Sequence, residues 1–391
     1  MALNDFIARY KLAESAYVTR PTMPSREDYL RVLAPVWEQC RLTNEGVLHA
    51  RLERALAERL EVAYLSLFCN GTIALLMALQ AMDITEGEVV TTPFTFPATA
   101  HVIYWNRLTP VFCDIREDNC TLAPAAVEAA ITPRTRAILG VHTYGFPCDV
   151  EALEAIAARH GVRLVFDAAP AFGVRWRGRS ILQFGDMSML SFHATKLFTT
   201  AEGGAVATRN ADWDRRIRFL KNFGIADEET VIGPGINGKM SELQAAFGLL
   251  QLAQVDEEIA RRGAVAAVYR ERLAGVRGIR LFPEPADVIM NHAYFPIRIV
   301  ADEYGVDRDT LNEALRKCNI ITRKYYFPLC SHFPCYADLP SAAPKRLPVA
   351  ERMSTEVLCL PIYGTLSPEI AASIADAVAS FPDAYENDEE R

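Results

Sequence analysis

Between residues 64 and 210 short apolar runs alternate with helix-forming stretches, and no other feature restricts the possible folds as tightly. The runs Val89-Val90-Thr91-Thr92, Pro110-Val111-Phe112-Cys113-Asp114, Ala137-Ile138-Leu139-Gly140-Val141 and Arg163-Leu164-Val165-Phe166-Asp167 are short and largely apolar. Runs of this kind are strands buried on both faces, because a one-sided strand alternates apolar with polar residues. Between them, residues 73–82 and 150–160 carry helical spacing. Strands alternating with helices predict a mostly parallel sheet covered by helices on both faces. In such a sheet the sites lie at the carboxyl ends of the strands.

The flanking segments complete the outline. Leu48, Leu52, Leu56 and Leu60 follow Thr43-Asn44-Glu45-Gly46 at i, i+4 spacing and mark one buried helix face. The first forty or so residues, rich in proline and charge, read as an arm over the body. Residues 239–273 contain good helix formers and no proline, so one long helix links a large domain to a smaller one. The smaller domain has a strand at 294–300, a helix at 309–318 and a helix after Ser367, ending in a charged tail, 386–391, expected to be disordered. The division is therefore residues 1–260, arm and large α/β domain, and residues 261–391, a smaller α+β domain.

Charge and cysteines exclude several classes. The net charge is −8 and no basic run exceeds Arg215-Arg216 or Arg261-Arg262, which argues against nucleic acid as a partner. Nine cysteines are scattered with no CxxC spacing, so neither a disulfide framework nor a zinc site is expected. No basic segment followed by an apolar core opens the chain, and no stretch approaches the ~20 apolar residues of a membrane helix. The expectation is a cytoplasmic protein without a membrane partner.

Two residues carry the chemistry. Asp167 closes an apolar run, and Lys196 follows in Ser191-Phe192-His193-Ala194-Thr195-Lys196, just before Glu202-Gly203-Gly204. A carboxylate can hold a pyridinium nitrogen protonated, and a lysine amine can form a Schiff base, which together suit pyridoxal 5'-phosphate. Asn70-Gly71-Thr72 leads from an apolar run into a helix, where free N–H groups and the helix dipole suit a phosphate. Each feature has a plainer reading: Asn70 as a helix cap, Asp167 as a turn residue, Lys196 as a solvated surface charge.

Jointly, these motifs resemble the DegT/DnrJ/EryC1/StrS nucleotide-sugar aminotransferases. The resemblance also takes in Thr92-Pro93-Phe94-Thr95-Phe96-Pro97-Ala98-Thr99, His142-Thr143-Tyr144-Gly145 with Asp149, Asp167-Ala168-Ala169, and Asn237-Gly238-Lys239-Met240-Ser241-Glu242. It implies a fold-type I transferase forming a homodimer with active sites shared at the subunit interface. It also implies that Lys196 forms the Schiff base and then moves protons, while Asp167 pairs with the ring nitrogen. Phe96 would stack on the ring, and Gly71, Thr72 and Ser191 would bind the phosphate, with Asn237 reaching it from the partner subunit. L-glutamate would convert the cofactor to pyridoxamine 5'-phosphate, and a keto sugar would then take the amine.

The family's usual glutamine three residues after the aspartate is here Pro170, which has no side-chain donor. That departure, with Ser-Phe-His-Ala-Thr-Lys around the lysine, resembles the branch acting at C4 of dTDP-4-keto-6-deoxyhexoses. His193, Arg323, Lys324, Tyr325 and Tyr326 are candidate substrate contacts, His193 being more a packing residue than a proton carrier. The alternatives are a C3 keto-sugar aminotransferase and a non-catalytic sensor of the same fold. A related sugar dehydratase would carry histidine in place of Lys196.

Overall fold

A computed structural model describes residues 3–389 of the chain. Seven strands form its main sheet: β1 (Tyr64–Phe68), β2 (Glu88–Thr91), β3 (Thr109–Phe112), β4 (Thr135–Val141), β5 (Arg163–Asp167), β6 (Met187–Ser191) and β7 (Gly204–Thr208). Their order across the sheet is β1-β7-β6-β5-β4-β2-β3. Pairs among β2 to β6 are parallel, while β7 runs antiparallel to both β6 and β1. The parallel strands need crossovers, which helices such as Pro97–Trp105 and Val150–His160 supply.

Successive strand residues bury themselves in opposite layers. Val90, Ile138, Phe166 and Ala205 pack with Leu48, Leu52 and Leu56 of the helix Val47–Leu60. Val89, Leu139, Val165 and Val206 pack with Ala74, Leu75 and Ala78 of the helix Gly71–Ala81. The period of two explains why these runs are apolar throughout: both faces of the strand are inside.

The helix Val47–Leu60 has Gly46 at its N-cap, with no side chain to cap it. Its free N–H groups are met instead by Glu242, whose Oε2 accepts from Leu48 N at 2.7 Å and Oε1 from His49 N at 3.1 Å. A β-carbon on Gly46 would stand 2.6 Å from the Glu242 carboxyl carbon, so the glycine admits the remote carboxylate.

The helix Glu242–Leu273, opened by a Ser241/Gln244 capping box, passes from one core to the next. Ala245, Ala246 and Val255 lie in the large core; Val265, Tyr269 and Leu273 lie in a second one. That second core surrounds a three-stranded antiparallel sheet of Ile279–Leu281, Phe295–Ile299 and Val357–Leu360. At the crossing point Arg262 Nε donates to Glu258 Oε1 at 2.7 Å, and both side chains are buried. Glu258 also accepts from Thr22 Oγ1 at 2.6 Å and Gly364 N at 2.9 Å, so one carboxylate gathers three segments.

Two features depart from the linear reading. The helix Leu3–Tyr10 buries Phe6 and Tyr10 in the second core, and Ala16–Tyr17 pairs with Ile320–Ile321. The start of the arm thus docks on the C-terminal body, although its place in the chain groups it with residues 1–260. The charged tail, expected to be disordered, continues the helix Pro368–Glu389; residues 390 and 391 lie outside the described residues. Phe381 and Ala384 are buried, and a helix anchored there propagates at the cost of one residue per added bond.

Candidate active site

The carboxyl ends of β1, β5 and β6 open into a cavity of about 310 Å³. Gly71, Thr72, Phe96, Asp167, Ser191, His193, Lys196, Arg323, Tyr325 and Tyr326 all line it. A larger surface groove, about 810 Å³ around Arg136 and Arg163, lies at the amino ends of β4 and β5 and shares no residue with this cavity. Two candidates are elsewhere. Lys324 turns out to Asp309 at 3.3 Å and to the Phe327 ring and does not line the cavity. Asn237 is exposed on the loop after Asn222 and does not line the cavity of its own chain.

One end of the cavity is shaped for an anion. β1 runs through Asn70, which caps the helix Gly71–Ala81 by accepting from Ile73 N at 2.9 Å. The capping role read as the plainer alternative is therefore real, and it leaves the first N–H groups of that helix at the cavity. A β-carbon on Gly71 would stand 2.9 Å from Ser191 Cβ, and one on Gly204 would stand 2.7 Å from Gly71 Cα. Glycine at both positions lets β6, β7 and the helix N-terminus converge, placing the Ser191 hydroxyl beside free backbone donors.

Asp167 is buried at the other end. Its Oδ1 accepts from Ala169 N at 3.0 Å and its Oδ2 from Thr99 Oγ1 at 2.8 Å. Burial pushes its pKa above the usual carboxylate value, against the pull of those hydrogen bonds and the Lys196 charge. Among the described residues it makes no ion pair. A buried acid with donors on both oxygens and open space beyond suits a protonated ring nitrogen, and the glycine cup suits the phosphate of the same group. The residues present fit pyridoxal phosphate.

The Lys196 amine donates to the Tyr294 hydroxyl at 3.4 Å. Tyr294 comes from the second body, held by Asn291, which is fully buried. Asn291 Nδ2 donates to the Pro170 and Phe172 carbonyls at 2.8 and 2.9 Å, and its Oδ1 accepts from Ala293 N at 3.1 Å. One amide thus ties the segment carrying Tyr294 to the loop after Asp167. Tyr325 packs edge-on to Tyr294, and Tyr326 stacks on Tyr144 with planes 7° apart. Burial keeps both phenols protonated, pushing Tyr325 up to about 12 and Tyr326 well above its ordinary value. His193 is exposed and turned to its own loop, with Nδ1 2.9 Å from Thr195 Oγ1 and Nε2 3.4 Å from Glu202 Oε1.

The chain matches the family model of the DegT/DnrJ/EryC1/StrS aminotransferases over residues 25–379. It belongs to that family. An Escherichia coli protein named dTDP-4-amino-4,6-dideoxy-D-glucose transaminase is 46% identical over 91% of this chain and 96% of its own length. A Streptomyces venezuelae protein named dTDP-3-amino-3,4,6-trideoxy-alpha-D-glucose transaminase is 38% identical over 80% of this chain and 81% of its own. The crystal structure of DesI in the presence of its TDP-sugar product superposes with a TM-score of 0.92 at 35% identity, covering 99% of this chain and 98% of that one. The protein is thus an aminotransferase-family member with the fold-type I architecture. Among its described residues no helix is long and apolar enough to cross a membrane.

Proposed function

We propose that the protein is a pyridoxal-phosphate-dependent aminotransferase that moves the amino group of L-glutamate to the C4 keto group of a dTDP-4-keto-6-deoxyhexose. The observation that carries this is the convergence of Lys196, Asp167 and the Gly71–Ser191 cup on one cavity. When bound, the cofactor supplies an electron sink. Lys196 would be the amine that holds it and the group that moves the proton at the carbon bearing nitrogen. Tyr294 holds that amine over the cavity. Asp167 would keep the ring nitrogen protonated, Phe96 would lie against the ring, and Ser191 with the amides of Gly71 and Thr72 would hold the phosphate.

A cavity of about 310 Å³ is at the lower end of small-molecule sites, roughly 300–1,000 Å³. It suits the cofactor, so most of a nucleotide sugar must lie beyond it. Phe96 is 61% exposed on its rim and Asn237 is exposed outside it. Both fit a homodimer in which Asn237 completes the phosphate site of the partner subunit. Arg323, exposed at the rim, is a candidate for the pyrophosphate.

The C4 reading is favoured over C3 because the relative named for a 4-amino sugar is more similar and is covered almost whole. Incubating the protein with dTDP-4-keto-6-deoxyglucose and L-glutamate, then locating the amine by NMR, tests it. Amination at C3, or none, overturns it. Failure of L-glutamate to bleach the visible absorbance of the bound cofactor would instead indicate a sensor.

A further inference from the structure

Asp167 must carry a charge in a place that disfavours one. Its Ala169 contact is local to the turn, but its Thr99 contact comes from the helix Pro97–Trp105. An ionised carboxylate only accepts, so the Thr99 hydroxyl is the donor. Thr99 Oγ1 also lies 2.8 Å from Thr95 Oγ1. With the Thr99 proton committed to Asp167, Thr95 must donate to Thr99. The hydroxyls form a directed chain, Thr95 to Thr99 to Asp167. Thr99 and Thr95 are 0% and 3% exposed, so bulk water does not compete. Phe96, next to Thr95, is the N-cap residue of the same helix.

We propose that the Thr95–Thr99 hydroxyl chain is a positioning device that keeps Asp167 ionised and fixes it relative to Phe96. One helical turn then sets both the nitrogen contact and the stacked face of the ring. This rests on the reading of Asp167 as partner of the ring nitrogen. Thr99 does not line the cavity and Thr95 lines it beside Phe96; in this proposal both act through Asp167.

The other groups facing Asp167 do not replace this contact. Lys196, from the turn after β6, favours the carboxylate but makes no hydrogen bond to it. Tyr326, from the C-terminal body, stays protonated. The His142 backbone N–H donates to the Asp167 carbonyl at 3.0 Å, and its ring is neutral, its pKa held down to about 3 by burial.

The test is a spectroscopic titration of cofactor retention against pH in the holoenzyme, for wild type, Thr99→Val, Thr99→Ser and Thr95→Val. Losing a hydrogen bond to the charged form raises the Asp167 pKa, so Thr99→Val should release cofactor at a pH about one unit higher on acidification. Thr99→Ser should restore the wild-type profile, and Thr95→Val should shift it less than Thr99→Val in the same direction. The proposal is overturned by an unshifted Thr99→Val, by a Thr99→Ser as impaired as Thr99→Val, or by a larger effect at Thr95. Thermal unfolding of the cofactor-free variants separates a pH effect from general destabilisation. A wild-type protein that takes up no cofactor overturns both this and the proposed function; unshifted variants of a competent wild type overturn this alone.

Discussion

The Lys196 amine and the Tyr294 hydroxyl, 98 residues apart in the chain, stand 3.4 Å apart across the junction of the two bodies. Every step in which the lysine is free requires it to stay near the cofactor, and this hydroxyl is its nearest side-chain anchor among the described residues. The contact is long, so its worth is that of a modest hydrogen bond, about 0.5–1.5 kcal/mol. Tyr294→Phe should therefore lower kcat roughly threefold to tenfold with little change in the KM for the nucleotide sugar. Steady-state kinetics over both substrates would decide this. A KM effect with unchanged kcat would make Tyr294 a substrate contact instead.

Gly71 offers a sharper probe of the phosphate cup. A β-carbon there meets Ser191 Cβ at 2.9 Å, and both neighbours are held by the sheet and the helix. Overpacking of this kind costs about 1–3 kcal/mol. Gly71→Ala should lower cofactor affinity by about fivefold or more, read by absorbance titration, while the circular dichroism of the cofactor-free protein stays near wild type. Unchanged affinity would remove the cup from the cofactor site.

Burial of two histidines makes stability pH-dependent. The His142 ring stacks on Phe166 and its Nδ1 accepts from Cys148 N at 3.0 Å, while His49 has its pKa held down to about 4 by burial and the nearby Lys221 charge. Both folded values lie below the unfolded value of about 6.5, so between them the unfolded chain binds more protons than the native one. Stability therefore rises with pH through that window and is lost as pH falls below about 6.5. Asp167, with a raised folded value, acts in the opposite sense. Between pH 7 and 5 His142 alone should account for a loss on the order of 2 kcal/mol. Denaturant melts at both values would measure it, and His142→Gln should flatten the dependence.

Some of this architecture is legible in the residues because the signals are local. The helix expected at 150–160 is found at Val150–His160, since Asp149 caps its start and Gly161, at φ +66°, ends it. β4 and β5 are recognisable because both their faces are buried, and Asp167 and Lys196 because each ends a strand or its following turn. Contacts made by distant segments leave no such trace. Nothing near Tyr294 announces Lys196, nothing near Glu242 announces the helix it caps, and Thr99 reads as an ordinary first-turn residue. The placement of Lys324 is equally invisible in the sequence: its neighbour Arg323 reaches the cavity, while Lys324 itself meets Asp309 on a helix brought beside it by tertiary packing.

The buried pair at the junction should be fragile to one-sided change. Arg262 Nη1 also donates to the Ala293 carbonyl at 3.3 Å, so the pair supports the residue preceding Tyr294. Arg262→Leu leaves Glu258 buried without its cation, which costs about 3–5 kcal/mol in such pairs. Chemical denaturation should show a loss of that size. An effect below about 1 kcal/mol would mean that the Thr22 and Gly364 contacts suffice for the carboxylate.

Subunit sharing of the site can be tested by complementation. Asn237 is exposed and outside its own cavity, and the role proposed for it is on a partner subunit. Lys196→Ala and Asn237→Asp homodimers should each be inactive or strongly impaired, the second because a carboxylate beside a phosphate is repulsive. In a mixed dimer, the subunit with Asn237→Asp keeps Lys196 and receives a normal Asn237 from the Lys196→Ala chain. One complete site results. Random co-refolding of equal amounts makes half the dimers mixed, each with one good site of two, so about a quarter of wild-type activity should return. If Asn237 acts within its own chain, no dimer contains a complete site and the mixture stays at the level of its parents.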